Sequence, residues 1–198
     1  SFAVSIVMLA VLGFLMLKVK PASRSIYARD GFAIVAFGWI LISFFGGLPF
    51  YLSGAIPSYV DCFFESSSGF TTTGATILKQ IEGLPRGILF WRSFTHWIGG
   101  MGVLIFTLAI LPSVGVGRLH LMKAESPGPS PDKLVPKIGN TAKILYGIYL
   151  LLSLVLVLLL LAGGMSLYDS LIHMFGTAGT GGFSNKNASV GAFNNTYI

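Results

Sequence analysis

Two short strings hold the residues best suited to chemistry in this sequence: Thr72-Thr73-Gly74-Ala75-Thr76 and Thr180-Gly181-Gly182-Phe183-Ser184. Each sets a threonine two residues ahead of a glycine. Superposing Asp61 on Asp169, an offset of 108 residues, also brings Glu65 onto His173, Thr72 onto Thr180 and Gly74 onto Gly182. Glycine permits backbone angles that a Cβ forbids, and threonine adds a hydroxyl oxygen. A loop built this way can turn carbonyl oxygens toward a cation and replace its hydration shell. Potassium, large and weakly hydrated, suits such neutral oxygens better than focused carboxylates. A single Thr-x-Gly is an ordinary turn; its repetition after matched segments gives it weight.

The elements that must position these strings are helices in a membrane. Of 198 residues, 54% are hydrophobic and 10% charged, against about 25% charged in an average soluble domain. No Asp, Glu, Lys or Arg occurs between Asp30 and Asp61, Arg92 and Arg118, or Lys143 and Asp169. Each gap exceeds the roughly 20 apolar residues that cross a hydrocarbon core as a helix. Helices are therefore expected at about 31–53, 87–112 and 139–164, with Pro49 loosening or ending the first. A further one is expected over about 2–18, where neither a basic leader nor a cleavage site supports a signal peptide.

The net charge of +6 is confined to two loops, one with Lys18, Lys20, Arg24 and Arg29, the other with Arg118, Lys123, Lys133, Lys137 and Lys143. Basic loops mark the cytoplasmic face, and the two helices between them place both on one side. That leaves 54–86 and 165–198 external or re-entrant. A stretch such as 58–69 gives at most about 18 Å of helix, roughly half a bilayer. Its C-terminus would aim a partial negative charge inward. Irregular backbone at that depth must be buried in protein or line a watery cavity. One cysteine, Cys62, excludes an internal disulfide framework and a cysteine metal cluster.

At these residues the chain resembles the Trk/Ktr/HKT cation transporters, and within them the bacterial TrkH-type subunit. The resemblance rests on FFESSSGFTTTGAT at 63–76, FWRSFTHWIGGMGVLIFTLAILP at 90–112, MKAESPGPSPDKLVPKI at 122–138 and FGTAGTGGFS at 175–184. It covers about residues 30–198. It implies an all-α polytopic membrane protein of helix–pore loop–helix repeats, four in one chain around a single pore, and potassium uptake across the bacterial inner membrane. Potassium is the cargo; neither an organic cofactor nor enzymatic activity is expected.

On this reading residues 1–29 are a leading helix and basic loop, and 30–112 the first repeat. Residues 113–138 are a cytoplasmic connector, and 139–198 a truncated second repeat. The chain is thus expected to be a fragment. The filter residues implied are Thr72, Thr73, Gly74, Ala75 and Thr76, then Thr180, Gly181, Gly182 and Phe183, followed by Ser184. Gly182 is preferred over Gly181 as the counterpart of Gly74 because the Asp61/Asp169 register selects it. The implied partners are membrane lipid, a second copy of the chain and a cytoplasmic nucleotide-binding subunit of the TrkA type, with no role for nucleic acid.

Other polar residues have two readings. Asp61 and Glu65 either focus the field at a pore mouth or anchor the short helix. Arg92 and His96, four apart, share a helix face, with His96 read as a structural hydrogen-bond donor. Gly99-Gly100-Met101-Gly102 suits close helix packing or a hinge. An intramembrane hydrolase using Ser66, Ser67 or Ser68 with His96 is the alternative from another class, but the sequence has no Gly-x-Ser-x-Gly elbow. Sodium or mixed-cation permeation is the alternative within the same class.

Overall fold

A computed structural model describes residues 1–18, 28–102 and 138–198, with the side chains of the last two stretches described from Ala33 and Lys143. Its helices are α1 (Phe2–Leu17), α2 (Ala28–Gly46), α3 (Leu48–Leu52), α4 (Tyr59–Phe70), α5 (Arg86–Gly100), α6 (Ile138–Ala162) and α7 (Leu167–Ala178). A 3-10 turn covers Ser189–Phe193. Among the described residues there is no β-strand. Most of the basic loop after α1, and the connector as far as residue 137, lie outside the described residues.

Two 20-residue stretches, Ala33–Leu52 and Lys143–Ala162, are long and apolar enough to cross a membrane. Their outward faces carry large apolar side chains: Phe37, Ile40 and Leu41 on α2, and Leu151, Leu152, Leu154 and Leu158 on α6 are exposed. The buried set is unusually polar. It includes Glu65, Ser66, Arg92, Ser93, Thr95, His96, Ser170, His173 and Ser184. An apolar exterior around a polar interior is what a lipid solvent selects.

The helix expected over 31–53 is interrupted. It stops at Gly46, and Pro49 enters the first turn of α3, where a missing N–H is no loss. The glycine pair lets α4 approach closely. A Cβ on Gly46 would meet the Phe70 ring and Ser66 Oγ, and one on Gly47 would lie 3.1 Å from the Cys62 backbone. The helix expected over 87–112 instead ends at Gly100. Gly102 adopts φ 68° and donates its N–H to Gly99 O at 2.9 Å, a left-handed glycine stop. Residues 103–112 lie outside the described residues.

Each short helix packs on the long helix before it, α4 on α2 and α7 on α6, and α5 packs against both short helices. Small residues make those approaches possible. A Cβ on Gly99 would collide with Phe70 O, and one on Gly100 would lie 2.8 Å from Gly179 Cα. Of the two readings of this glycine run, close packing is the one the contacts support. Helix α5 is therefore the wedge that holds the two Thr/Gly strings in one place.

Candidate ion-binding site

Helices α4 and α7 are each 12 residues long, and their limits, 59–70 and 167–178, differ by the same 108 that relates the sequence strings. The backbone that leaves them follows suit. Thr71, Thr72 and Thr73 donate their N–H groups to Ser67, Gly69 and Ser68 carbonyls at 2.9, 3.1 and 3.0 Å. In the other segment Gly179, Thr180 and Gly181 donate to Phe175, Thr177 and Gly176 at 3.0 Å each. These bonds match one for one.

The dihedral angles match as well. Thr72 and Thr180 have φ of 56° and 60°, and Gly74 and Gly182 have 74° and 80°. Positive φ is an outlier for a β-branched residue, and such strain clusters where function requires it. Thr73 and Gly181, lying between, are not in this region. A chain that inverts its handedness at alternate residues turns successive peptide groups to one side. A single edge of each strand can then carry consecutive carbonyls.

The two strands meet. A Cβ on Gly74 would strike the carbonyl oxygen of Gly181, whereas one on Gly182 would meet nothing within 4 Å. Gly181 is needed for a different reason: its Cβ would run into the His96 ring. By φ, Gly182 is the counterpart of Gly74, in agreement with the register; by contact, Gly181 is the neighbour. Thr73, Ala75, Thr76, Thr180 and Gly182 are exposed, Thr72, Gly74 and Gly181 half-buried, and Phe183 and Ser184 buried.

Behind the strands, side chains fix their far ends. Glu65, wholly buried, accepts hydrogen bonds from Thr76 Oγ1 at 2.8 Å and the Ile77 N–H at 3.0 Å, and from Arg92 Nε at 2.5 Å. Of its two readings, the anchor is therefore the one the geometry supports. At the equivalent place His173 Nε2 lies 3.0 Å from Ser184 Oγ, and its Nδ1 lies 2.8 Å from Asp169 O. Residues 65 and 76 thus correspond to 173 and 184, one anchor paired with Arg92 and the other with the Asp169 carbonyl.

Arg92 joins the two. Besides Glu65 it donates through Nη1 to Ser184 O at 3.2 Å, and its guanidinium lies 3.5 Å from the centre of the Phe183 ring. His96, one turn on, stacks on Phe183 with ring centres 3.9 Å apart. Its Nδ1 accepts the Phe183 N–H at 3.4 Å, an acceptor role beside the donor role expected of the ring. Spacing alone could not reveal this polarity.

The hydrolase arrangement is not formed. Ser68 donates its hydroxyl to Ala75 O at 2.6 Å, the buried Ser66 hydroxyl has no hydrogen-bond partner, and the His96 ring faces Phe183. Sequence reasoning missed the contact of Ser68 with Ala75 O, the pairing of Glu65 with Arg92, and Asn185, whose Nδ2 donates to Asp169 Oδ1 at 2.7 Å. The pair left one signal: two opposite charges within apolar surroundings must find each other or remain uncompensated.

All of residues 1–198 match the family TrkH, described as a cation transport protein. The Trk system potassium uptake protein TrkH of Halomonas elongata is 45% identical over 181 residues, 90% of this chain and 38% of that protein. TrkH of Escherichia coli K12 is 45% identical over 173 residues, 86% of this chain and 36% of that one. The chain thus spans well under half the length of these relatives. The crystal structure of the potassium transporter TrkH from Vibrio parahaemolyticus superposes with a TM-score of 0.79 at 36% identity, over 100% of this chain and 39% of the other. The chain belongs to the TrkH family of cation transport proteins, membrane transporters rather than enzymes.

Proposed function

We propose that this chain is a segment of a potassium-uptake channel of the bacterial inner membrane. In this reading residues 72–76 and 180–184 are two strands of its selectivity filter. The observation that carries it is the paired alternation of φ at Thr72/Gly74 and Thr180/Gly182, with Gly181 O seated against Gly74. Two strands so placed offer backbone oxygens from Thr72, Thr73, Gly74, Thr180, Gly181 and Gly182 to a dehydrated cation. The C-terminal ends of α4 and α7 lie beside those oxygens and add partial negative charge. Strain at the two threonines is held by the helix-end hydrogen bonds and by the anchors at Ser68, Glu65 and His173.

The same reading assigns residues 1–29 to a leading helix and loop, 30–112 to one helix–pore–helix repeat, 113–138 to a cytoplasmic connector and 139–198 to the start of the next. The open side of Gly182 is where a third strand would sit, as Gly181 sits on Gly74. Further repeats, a second copy of the chain and a TrkA-type cytoplasmic subunit complete the assembly, which is multi-pass and lipid-embedded. Potassium is carried as substrate, without an organic cofactor. The test is uptake by the complete protein in cells lacking other potassium transport. Gly74→Asp or Gly182→Asp abolishes uptake while the protein still reaches the membrane. Normal uptake by either variant contradicts the assignment.

A further inference from the structure

We propose that Arg92 is a positioning residue for cation selectivity, a role that rests on the filter reading above. It is the side chain that fastens one filter strand to the anchor of the other. The argument begins with what it touches. Through Nε it binds Glu65, which holds Thr76 and Ile77 at the end of the first strand. Through Nη1 it binds Ser184 O, and its plane covers the Phe183 ring, both in the second strand. Arg92 is 1% and Glu65 0% exposed, so water does not compete for either charge.

A planar guanidinium can make these three contacts at once because its donors fan out in one plane while its face remains free to stack. An ammonium can keep the charge beside Glu65, but it cannot also lie flat on Phe183 and reach Ser184 O. The spacing of the two strands is in this way tied to a rigid group of fixed dimensions. Discrimination between potassium and the smaller sodium requires the oxygens not to close in on the smaller ion. A rigid tie between strands opposes that movement. At the corresponding place in the second strand the anchor is the His173–Ser184 pair.

The experiment measures potassium and sodium transport by the complete protein carrying Arg92→Lys, Arg92→Gln or Glu65→Gln, at matched membrane levels. Arg92→Lys is expected to transport, with potassium-over-sodium discrimination reduced on the order of tenfold, the scale of one charge-assisted hydrogen bond. Glu65→Gln keeps acceptor oxygen for Thr76 and Ile77 but loses the charge, and should shift the ratio in the same direction. Trp97→Phe serves as the structural control. It removes the Trp97–Ser153 hydrogen bond from the same helix without a polar contact to either strand, and should lower thermal stability without changing the ratio. Unchanged discrimination in Arg92→Lys and Glu65→Gln overturns the inference, as does an equal shift in Trp97→Phe. If Arg92 variants do not reach the membrane, Glu65→Gln alone decides. Should Gly74→Asp still transport, the filter reading itself fails; should it abolish uptake while these variants keep normal discrimination, only the role of Arg92 fails.

Discussion

Segments 59–76 and 167–184 hold the same backbone with different side chains. In the first, a buried carboxylate grips the strand end and is itself neutralised by Arg92 from a third helix. In the second, a histidine and a serine do the same work. Ser68 donates its hydroxyl to Ala75 O, whereas the equivalent Gly176 leaves no room: a Cβ there would come within 2.6 Å of Phe183 O. The helix starts differ as well. Ser58 and Ser166 are each followed three residues later by an aspartate, yet only Ser166 accepts the Asp169 N–H, at 3.1 Å. Backbone conformation is what the two copies share; the means of enforcing it is free to vary. That division is expected if backbone atoms perform the function.

The comparison can be broken from the largest effect downward. Gly181→Ala should eliminate uptake, since the new Cβ has only the His96 ring to enter; potassium uptake by a variant present in the membrane is the measurement. Glu65→Ala should lower the stability of the purified protein by about 3–5 kcal/mol, the penalty for leaving a buried arginine unpaired. His173→Ala, in the other anchor, should lower it by about 1–2 kcal/mol. Thermal unfolding of the two variants side by side reads the difference, and equal losses would erase the distinction between the anchors. Ser166→Ala should cost about 1 kcal/mol through the lost cap, and Ser58→Ala much less, by the same assay. Gly74→Ser should leave uptake in place but relax potassium-over-sodium discrimination, tested by cation competition.

Much of this was legible in the sequence because it depends on short-range pattern. The 108-residue register needed only Asp61, Glu65, Thr72 and Gly74 with their counterparts, and two of the three charge-free gaps marked long apolar stretches, Ala33–Leu52 and Lys143–Ala162. What was not legible depends on the third dimension. Arg92 is 27 residues from Glu65 and 92 from Ser184 O, and no local rule selects those partners. The stop of α5 at Gly100 follows from the left-handed turn at Gly102, and a hydropathy profile runs straight through it. The acceptor role of His96 appears only when Phe183 is brought against it. The Glu65 anchor was ambiguous for a similar reason: a carboxylate at a pore mouth and one buried behind a strand have the same neighbours in sequence.

The central claim is that backbone oxygens on the paired strands hold a dehydrated cation. A crystal of the complete protein soaked in thallium or rubidium, both potassium mimics that scatter anomalously, tests it most directly. The account predicts an anomalous peak beside the carbonyls of residues 72–74 and 180–182. Peaks confined to carboxylates elsewhere, with none beside those carbonyls, would contradict it.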